Sequence, residues 1–346
     1  MLITATRPVT ETSSPAACVS APPLLEVRDL MTQFPTRHGW LTAVNHVSYE
    51  LHAGRVLGVL GESGSGKSAM LRTILGLQPK SARISGEVLL GGRDLIAMSP
   101  RERTDMRGSS VSMVFQDPMT ALDPVFTVGQ QLVETIRRHS TLSKAEAADR
   151  ALELLQTVQI PSPERRLKAY PFELSGGMRQ RVVIAMALVS HPSLLLADEP
   201  TTALDVTVQA RVLDLFRELK QRMGMGIIFV THDLAVAAEI ADDIAVMYAG
   251  RIVEYGRLED IVRAPQHPYT RGLLEANIRP GQHERPESIP GSPPNLAKLP
   301  PGCAFAPRCR AAESACWEAL PPLTTVGPMH TVRCVMATTP SGTAGR

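Results

Sequence analysis

Long apolar runs, aromatic side chains and a charge excess of either sign are all scarce in this sequence, and each shortage excludes something. The longest apolar stretches, RVVIAMALVS and PSLLLADEP, fall well short of the roughly 18 to 20 uninterrupted apolar residues that cross a bilayer, so no membrane span is expected. Thirty-six Lys and Arg against 34 Asp and Glu leave a net charge of +2, which makes no basic field for a nucleic-acid backbone and disfavours DNA or RNA as partner. Aromatics are only 4% of residues. The opening MLITATRPVTETSSPAACVSAPP lacks a basic segment followed by a sustained apolar one, so residues 1–23 read as a disordered tail and not as a signal peptide. A cytoplasmic protein is therefore expected. Of only five cysteines, four, Cys303, Cys309, Cys316 and Cys334, lie in one terminal segment, where a reducing compartment favours metal ligation over disulfides. Cys18, in the tail, is assigned no role.

What is present describes a globular body. At 346 residues the chain has room for one large core with an appendage, or for two domains. LLEVRDL and TAVNHVSYEL alternate apolar and polar residues like antiparallel strands with one exposed face, and SGEVLLGGRDL reads as a strand meeting a Gly-Gly turn. RVLGVL, VSMVF, SLLLA and GIIFV are short unbroken apolar runs, the pattern of strands buried on both faces of a parallel sheet. Helical segments between them predict an α/β core with right-handed crossovers. Residues 118–190 turn helical: Ser143 and Glu146 form a capping box, and Leu152, Leu155 and Val158 follow at helical spacing. RPESIPGSPPNLAKLPPG is a proline-rich connector leading to the cysteines.

The chemistry concentrates in a few motifs. RVLGVLGESGSGKSAML runs from a buried strand through Gly61, Ser63, Gly64, Ser65, Gly66, Lys67 and Ser68 into a helix start, matching G-x-x-x-x-G-K-[ST] in its strand-to-helix context. Glycines let the backbone curl so that N–H groups and the helix N-terminus face phosphates, Lys67 brings charge to them, and the Ser68 hydroxyl can ligate Mg²⁺. SLLLADEP ends a strand in Asp198, suited to the Mg²⁺ shell, and Glu199, suited to polarise an attacking water as general base. GIIFVTHD delivers His232 to a strand end, either as a γ-phosphate contact or as an ordinary solvated histidine. In ELSGGMRQR, Ser175, Gly176 and Gly177 open a second helix and so a second anion site, which a head-to-tail dimer would use on its partner's nucleotide.

GESGSGKS, Gln116 in VFQDP, LSGGMRQR, LLLADEP, TTALD and THD occur in the order and spacing of ATP-binding-cassette (ABC) ATPases, and residues 24–260 resemble that family. The resemblance implies a P-loop NTPase core of α/β class with an antiparallel β subdomain and a helical signature subdomain, followed by a Cys/Pro-rich C-terminal extension over residues 261–340. It implies ATP and Mg²⁺ as ligands, Gln116 near the metal with Ser68 and Asp198, Glu199 and His232 as catalytic residues, and Asp205 acting with Ser175, Gly176 and Gly177 on the partner's ATP. Phe34 is the expected adenine-stacking residue, with Trp40 as the alternative. His267-Pro268-Tyr269-Thr270 resembles the hallmark of ATP-binding subunits of oligopeptide/dipeptide (peptide/nickel) importers, and GMRQRVVIAMAL resembles their D-type subunit. That group implies ATP-driven peptide import, a homologous second ATPase, two membrane permeases, an extracytoplasmic binding protein and a peripheral place on the cytoplasmic face of the inner membrane. A soluble cassette protein acting on ribosomes or DNA is the other class, disfavoured by a single cassette without extended heptads; import of a nickel chelate or glutathione stays open. The cysteines follow C-x5-C-x6-C-x17-C without paired C-x-x-C knuckles, which leaves a [4Fe–4S] cluster, zinc or unliganded thiols. The importer group resembles a [4Fe–4S] holder there.

Overall fold

The computed structural model describes residues 22–202, 204–276 and 288–337. The expected disordered tail, up to residue 21, lies outside the described residues, as does Cys18. In chain order the strands are β1 (Leu25–Thr36), β2 (Gly39–Leu51), β3 (Val56–Leu60), β4 (Arg83–Leu90), β5 (Arg93–Asp94), β6 (Val111–Val114), β7 (Leu194–Asp198), β8 (Gly226–Thr231), β9 (Asp243–Tyr248), β10 (Arg251–Arg257), β11 (Thr324–Gly327) and β12 (His330–Val332).

The two strand patterns of the sequence sort into two sheets. The alternating segments β1 and β2 join β4 and β5 in an antiparallel sheet of order β2-β1-β4-β5. The unbroken apolar runs β3, β6, β7 and β8 pair in parallel within an eight-stranded sheet of order β11-β12-β10-β9-β3-β8-β7-β6. Every residue of β3, β7 and β8 is buried, and alternate residues serve opposite cores. Val56, Leu60, Leu195, Ala197, Ile227 and Phe229 pack toward the helices, whereas Leu57, Val59, Leu194, Leu196, Ile228 and Val230 pack toward the antiparallel sheet. The period of two thus survives in a strand with no polar face, because both faces are covered.

The helical insertion contains the helices Val128–His139, Lys144–Thr157, Pro163–Leu167 and Gly176–Ala187. Ser143 accepts from Glu146 N, and the Glu146 carboxylate accepts from Ser143 N at 2.8 Å, closing the expected capping box. Leu155 and Val158 are buried as expected, but Leu152 is only half-buried and Leu154 takes its place. Ala147, Ala151, Leu154 and Leu155 form the inward stripe at the i, i+4, i+7 spacing of a helix face.

The segment beyond residue 260 does not stand apart from the core. β12 pairs with β10, Glu254 opposite Val332, so the cysteine-bearing chain extends the main sheet. A buried carboxylate fastens this join. Glu254 is fully buried and accepts from Gln266 N at 2.7 Å, His267 N at 2.9 Å and His330 Nε2 at 2.7 Å. Burial raises its pKa most, yet these hydrogen bonds prevail and hold it below the usual carboxylate range. His267 in turn caps the helix Pro268–Glu275, its Nδ1 accepting from Tyr269 N at 3.0 Å. Burial pushes this imidazole down to about 4.

Candidate active site

The loop 61–66 joins β3 to the helix Lys67–Ile74. Gly66 caps that helix at φ 103°, and a Cβ there would sit 2.2 Å from the Ala43 carbonyl oxygen, so only glycine fits. Inside the loop, Lys67 is 4% exposed and its Nζ donates to the carbonyls of Gly61 at 2.6 Å and Glu62 at 2.9 Å. Burial lowers its pKa against the opposing pull of Glu199, Asp198 and Glu62. Ser65 is buried too, and its Oγ has no hydrogen-bond partner. A buried ammonium and an unpaired buried hydroxyl at the start of a helix fit an oligophosphate.

The loop lines a cavity of about 830 Å³ together with Gln116, Glu199 and His232. Ser68 Oγ donates to Asp198 Oδ1 at 2.9 Å, joining the two oxygen ligands expected for a divalent cation. Burial raises the Asp198 pKa, with the Ser68 bond opposing. The next residue points elsewhere: Glu199 leaves β7 at φ 47°, in the left-handed region that costs a non-glycine residue on the order of 1 kcal/mol. Its backbone N–H donates to Val230 O at 3.1 Å. Its Oε2 meets Gln116 Nε2 at 3.4 Å, Thr202 Oγ1 at 3.0 Å and His232 Nδ1 at 3.2 Å. The turn separates two adjacent acids, one toward the cation position and one toward a hub where a carboxylate can take a proton from water.

Of the expected residues, Gly61 and Asp198 do not themselves line the cavity but contact Lys67 and Ser68, which do, and two further groups lie outside it. Ser175 caps the helix Gly176–Ala187 and accepts from Met178 N; Ser175 and Gly176 are exposed. Asp205 caps the helix Val206–Met223, accepting from Val208 N at 2.9 Å, and is exposed as well. These helix starts touch, since a Cβ on Gly177 would come within 2.3 Å of Val208 Cγ1. Phe34 and Trp40 sit on the β1–β2 hairpin, paired with Leu41 and Pro35, and neither lines the cavity. The Arg83 guanidinium stacks 3.7 Å from the Trp40 ring centroid. Sequence reasoning missed Thr202, although it stands in the quoted TTALD, and missed Leu273, Pro293 and Leu296 on the cavity wall.

Known proteins answer to both halves of this architecture. Residues 44–202 match the ABC transporter family, and residues 253–316 match the oligopeptide/dipeptide transporter C-terminal region. The oligopeptide transport ATP-binding protein OppD of Escherichia coli is 49% identical over 91% of this chain and 94% of its own length. The dipeptide transport ATP-binding protein DppD of Bacillus subtilis is 47% identical over 90% and 94%. The chain belongs to the ABC transporter ATPases of the oligopeptide/dipeptide group. Among solved structures, a dimeric ATP-binding cassette in a post-hydrolysis state with ADP and phosphate bound superposes with a TM-score of 0.61, at 29% identity over 68% of this chain and 98% of that one. The α/β cassette fold expected from the motifs is therefore the fold observed.

This ABC ATPase carries its four C-terminal cysteines in the segment that contains β11 and β12. Cys303 N donates to Cys316 O at 2.7 Å, and a Cβ on Gly302 would collide with that same carbonyl at 2.2 Å. Cys316 and Cys334 are buried, Cys303 and Cys309 half-buried, and all four are free thiols. Burial raises the thiols of Cys303, Cys309 and Cys334, opposed by backbone N–H groups of Phe305, Ala306, Ala311 and Met336 directed at their sulfurs. Four free thiols match a thiolate-held group in donor type and number. The cysteines also bear on one another electrostatically, yet among the described residues no three His, Cys, Asp or Glu side chains are arranged to hold a metal ion. Among the described residues no helix is long and apolar enough to cross a membrane.

Proposed function

We propose that this ABC ATPase binds and hydrolyses ATP to power import of oligopeptides or dipeptides, as the D-type subunit of a membrane complex. The observation that carries this is the union, in one chain, of an intact phosphate loop and acid hub with a C-terminal region matching the oligopeptide/dipeptide transporters. In this reading the loop 61–68 cradles the phosphates, with Ser68, Asp198 and Gln116 holding Mg²⁺. When bound, the cation neutralises charge on the β- and γ-phosphates. Glu199 takes the proton of the attacking water, and His232 with Thr202 and Gln116 keeps its carboxylate aimed.

Ser175, Gly176, Gly177 and Asp205 act on the partner's nucleotide; the exposure of Ser175, Gly176 and Asp205 away from their own cavity supports a head-to-tail dimer with a second homologous ATPase. Met119, Val125 and Phe126, 57%, 68% and 48% exposed just after Gln116, supply an apolar patch for the cytoplasmic side of two permeases. The complex is completed by an extracytoplasmic binding protein, with this chain peripheral on the cytoplasmic face of the inner membrane. The gathering of four free thiols in one C-terminal segment supports a [4Fe–4S] cluster held by Cys303, Cys309, Cys316 and Cys334, with zinc as the competing occupant; its role is structural. Phe34 remains the residue proposed to stack on adenine.

Uptake of a labelled tripeptide tests the function. A host deleted for this gene should lose uptake, regain it with the wild-type chain and not with Glu199→Gln. Uptake that persists in the deletion strain would sink the peptide-import reading. For the cysteines, anaerobically purified protein should carry iron and sulfide with a visible charge-transfer band, whereas a colourless protein with stoichiometric zinc rejects the cluster.

A further inference from the structure

The C-terminal region holds the phosphate loop at Glu62, by backbone and by side chain. Glu62 N donates to the Tyr269 hydroxyl at 2.8 Å. The Glu62 carboxylate receives a fork from Arg308, Nη1 to Oε2 at 2.6 Å and Nη2 to Oε1 at 2.9 Å. Arg308 has little freedom of its own. Its side chain is 7% exposed, Nε donates to Pro290 O at 2.7 Å, and Nη1 also reaches the Tyr248 hydroxyl at 3.3 Å. The rings of Tyr248, Tyr269 and Phe305 pack around it with centroids 4.6 to 5.4 Å apart, a gathering of aromatics in a chain that has few.

The other end of this arrangement is Lys67. The carbonyl of the same Glu62 accepts Lys67 Nζ at 2.9 Å, so the guanidinium fixes a residue whose backbone fixes the phosphate-binding ammonium. The loop between them is rich in glycine, with Gly64 at φ 80°, and such backbone loses more freedom on ordering than any other. A two-pronged Arg–carboxylate contact sets distance and plane together, which a single charge does not.

We infer that Arg308 is a positioning residue for ATP: through Glu62 it sets the phosphate loop and Lys67, making the C-terminal cysteine segment a working part of the nucleotide site. The inference rests on the ATP-binding reading of that site. It also explains why Leu273, Pro293 and Leu296, from the same C-terminal region, line the cavity. A fastening that only stabilised the fold would lower the thermal midpoint and leave nucleotide affinity alone.

The test is titration of the full-length chain with Mg²⁺ and a non-hydrolysable ATP analogue, with the thermal midpoint measured alongside. Arg308→Ala is expected to weaken binding about tenfold, the worth of a charge-assisted hydrogen bond. Arg308→Glu and Glu62→Arg should each weaken it at least as much, and the reversed pair Glu62→Arg/Arg308→Glu should recover affinity to within about threefold of wild type. Arg308→Gln keeps the stem and one donor and serves if Arg308→Ala does not fold; it should weaken binding about threefold to tenfold. Wild-type binding in the same titration secures the ATP site itself, so its absence would fault that reading and not this one. Wild-type affinity in a folded Arg308→Ala or Arg308→Gln, or a reversed pair as weak as its single parents, overturns the inference.

Discussion

The phosphate loop and the cysteine segment meet at Glu62, yet they are assembled by opposite means. The loop is made from sequence neighbours: a buried strand, glycines at positive φ and a helix start place Lys67, Ser68 and Ser65 within a few residues of one another. The cysteine segment is made from distant contacts, such as Arg308 to Glu62 across 246 positions and His330 to Glu254 across 76. Local construction lets a short motif act wherever a strand leads into a helix, which is why it is readable. Long-range construction leaves no local trace, but it welds an otherwise proline-rich segment to the core.

The largest effects should fall on the loop. Lys67→Ala removes a buried ammonium and is expected to weaken ATP binding roughly a hundredfold, measured by analogue titration, with little change in thermal midpoint. On the other side of the comparison, Glu254→Ala strands the N–H groups of Gln266, His267 and His330 in a buried place. It should cost about 3 kcal/mol or more, read by denaturant or thermal unfolding, and lower the cysteine segment's protection from proteolysis. Equal losses of stability from both variants would erase the distinction.

A subtler probe is pH. His267 titrates near 4 in the fold against 6.5 when unfolded, so the unfolded chain takes the proton first. Its contribution is complete above about pH 6.5 and is lost as pH falls toward 4, on the order of 3 kcal/mol in all. His267→Asn keeps a good helix cap for Tyr269 N and should flatten this part of the stability profile relative to wild type. Smallest of all are the hairpin aromatics: Phe34→Ala should weaken ATP binding about threefold to tenfold if its ring stacks on adenine. Trp40→Ala, whose ring is already covered by Arg83, should stay within about twofold.

What the sequence made legible follows the same division. The apolar runs named the parallel strands β3, β6, β7 and β8, and the alternating runs named the antiparallel sheet, because burial on two faces or one leaves different periods. Lys67 and Ser68 stood in the phosphate-loop motif and Asp198, Glu199 and His232 at strand ends whose roles came from the family resemblance; the structure brings all five together. The positive φ of Glu199, which turns the two acids apart, was not, since nothing about glutamate signals a left-handed turn. Leu152 shares the i, i+3 spacing of Leu155 and Val158, but the buried stripe reaches Leu155 by i, i+4 from Ala151, which leaves Leu152 half-buried. Arg308 carries no motif, and Tyr269 showed only as part of a family hallmark; their task depends on a fold that returns residue 308 to the phosphate loop.

The central claim is that Glu199, held by Gln116, Thr202 and His232 over the phosphate loop, is the base for ATP hydrolysis that drives the complex. The most direct measurement compares ATP binding and turnover of Glu199→Gln with wild type in the assembled importer. The account predicts ATP affinity near wild type with hydrolysis down roughly a hundredfold or more. Hydrolysis at the wild-type rate would contradict it.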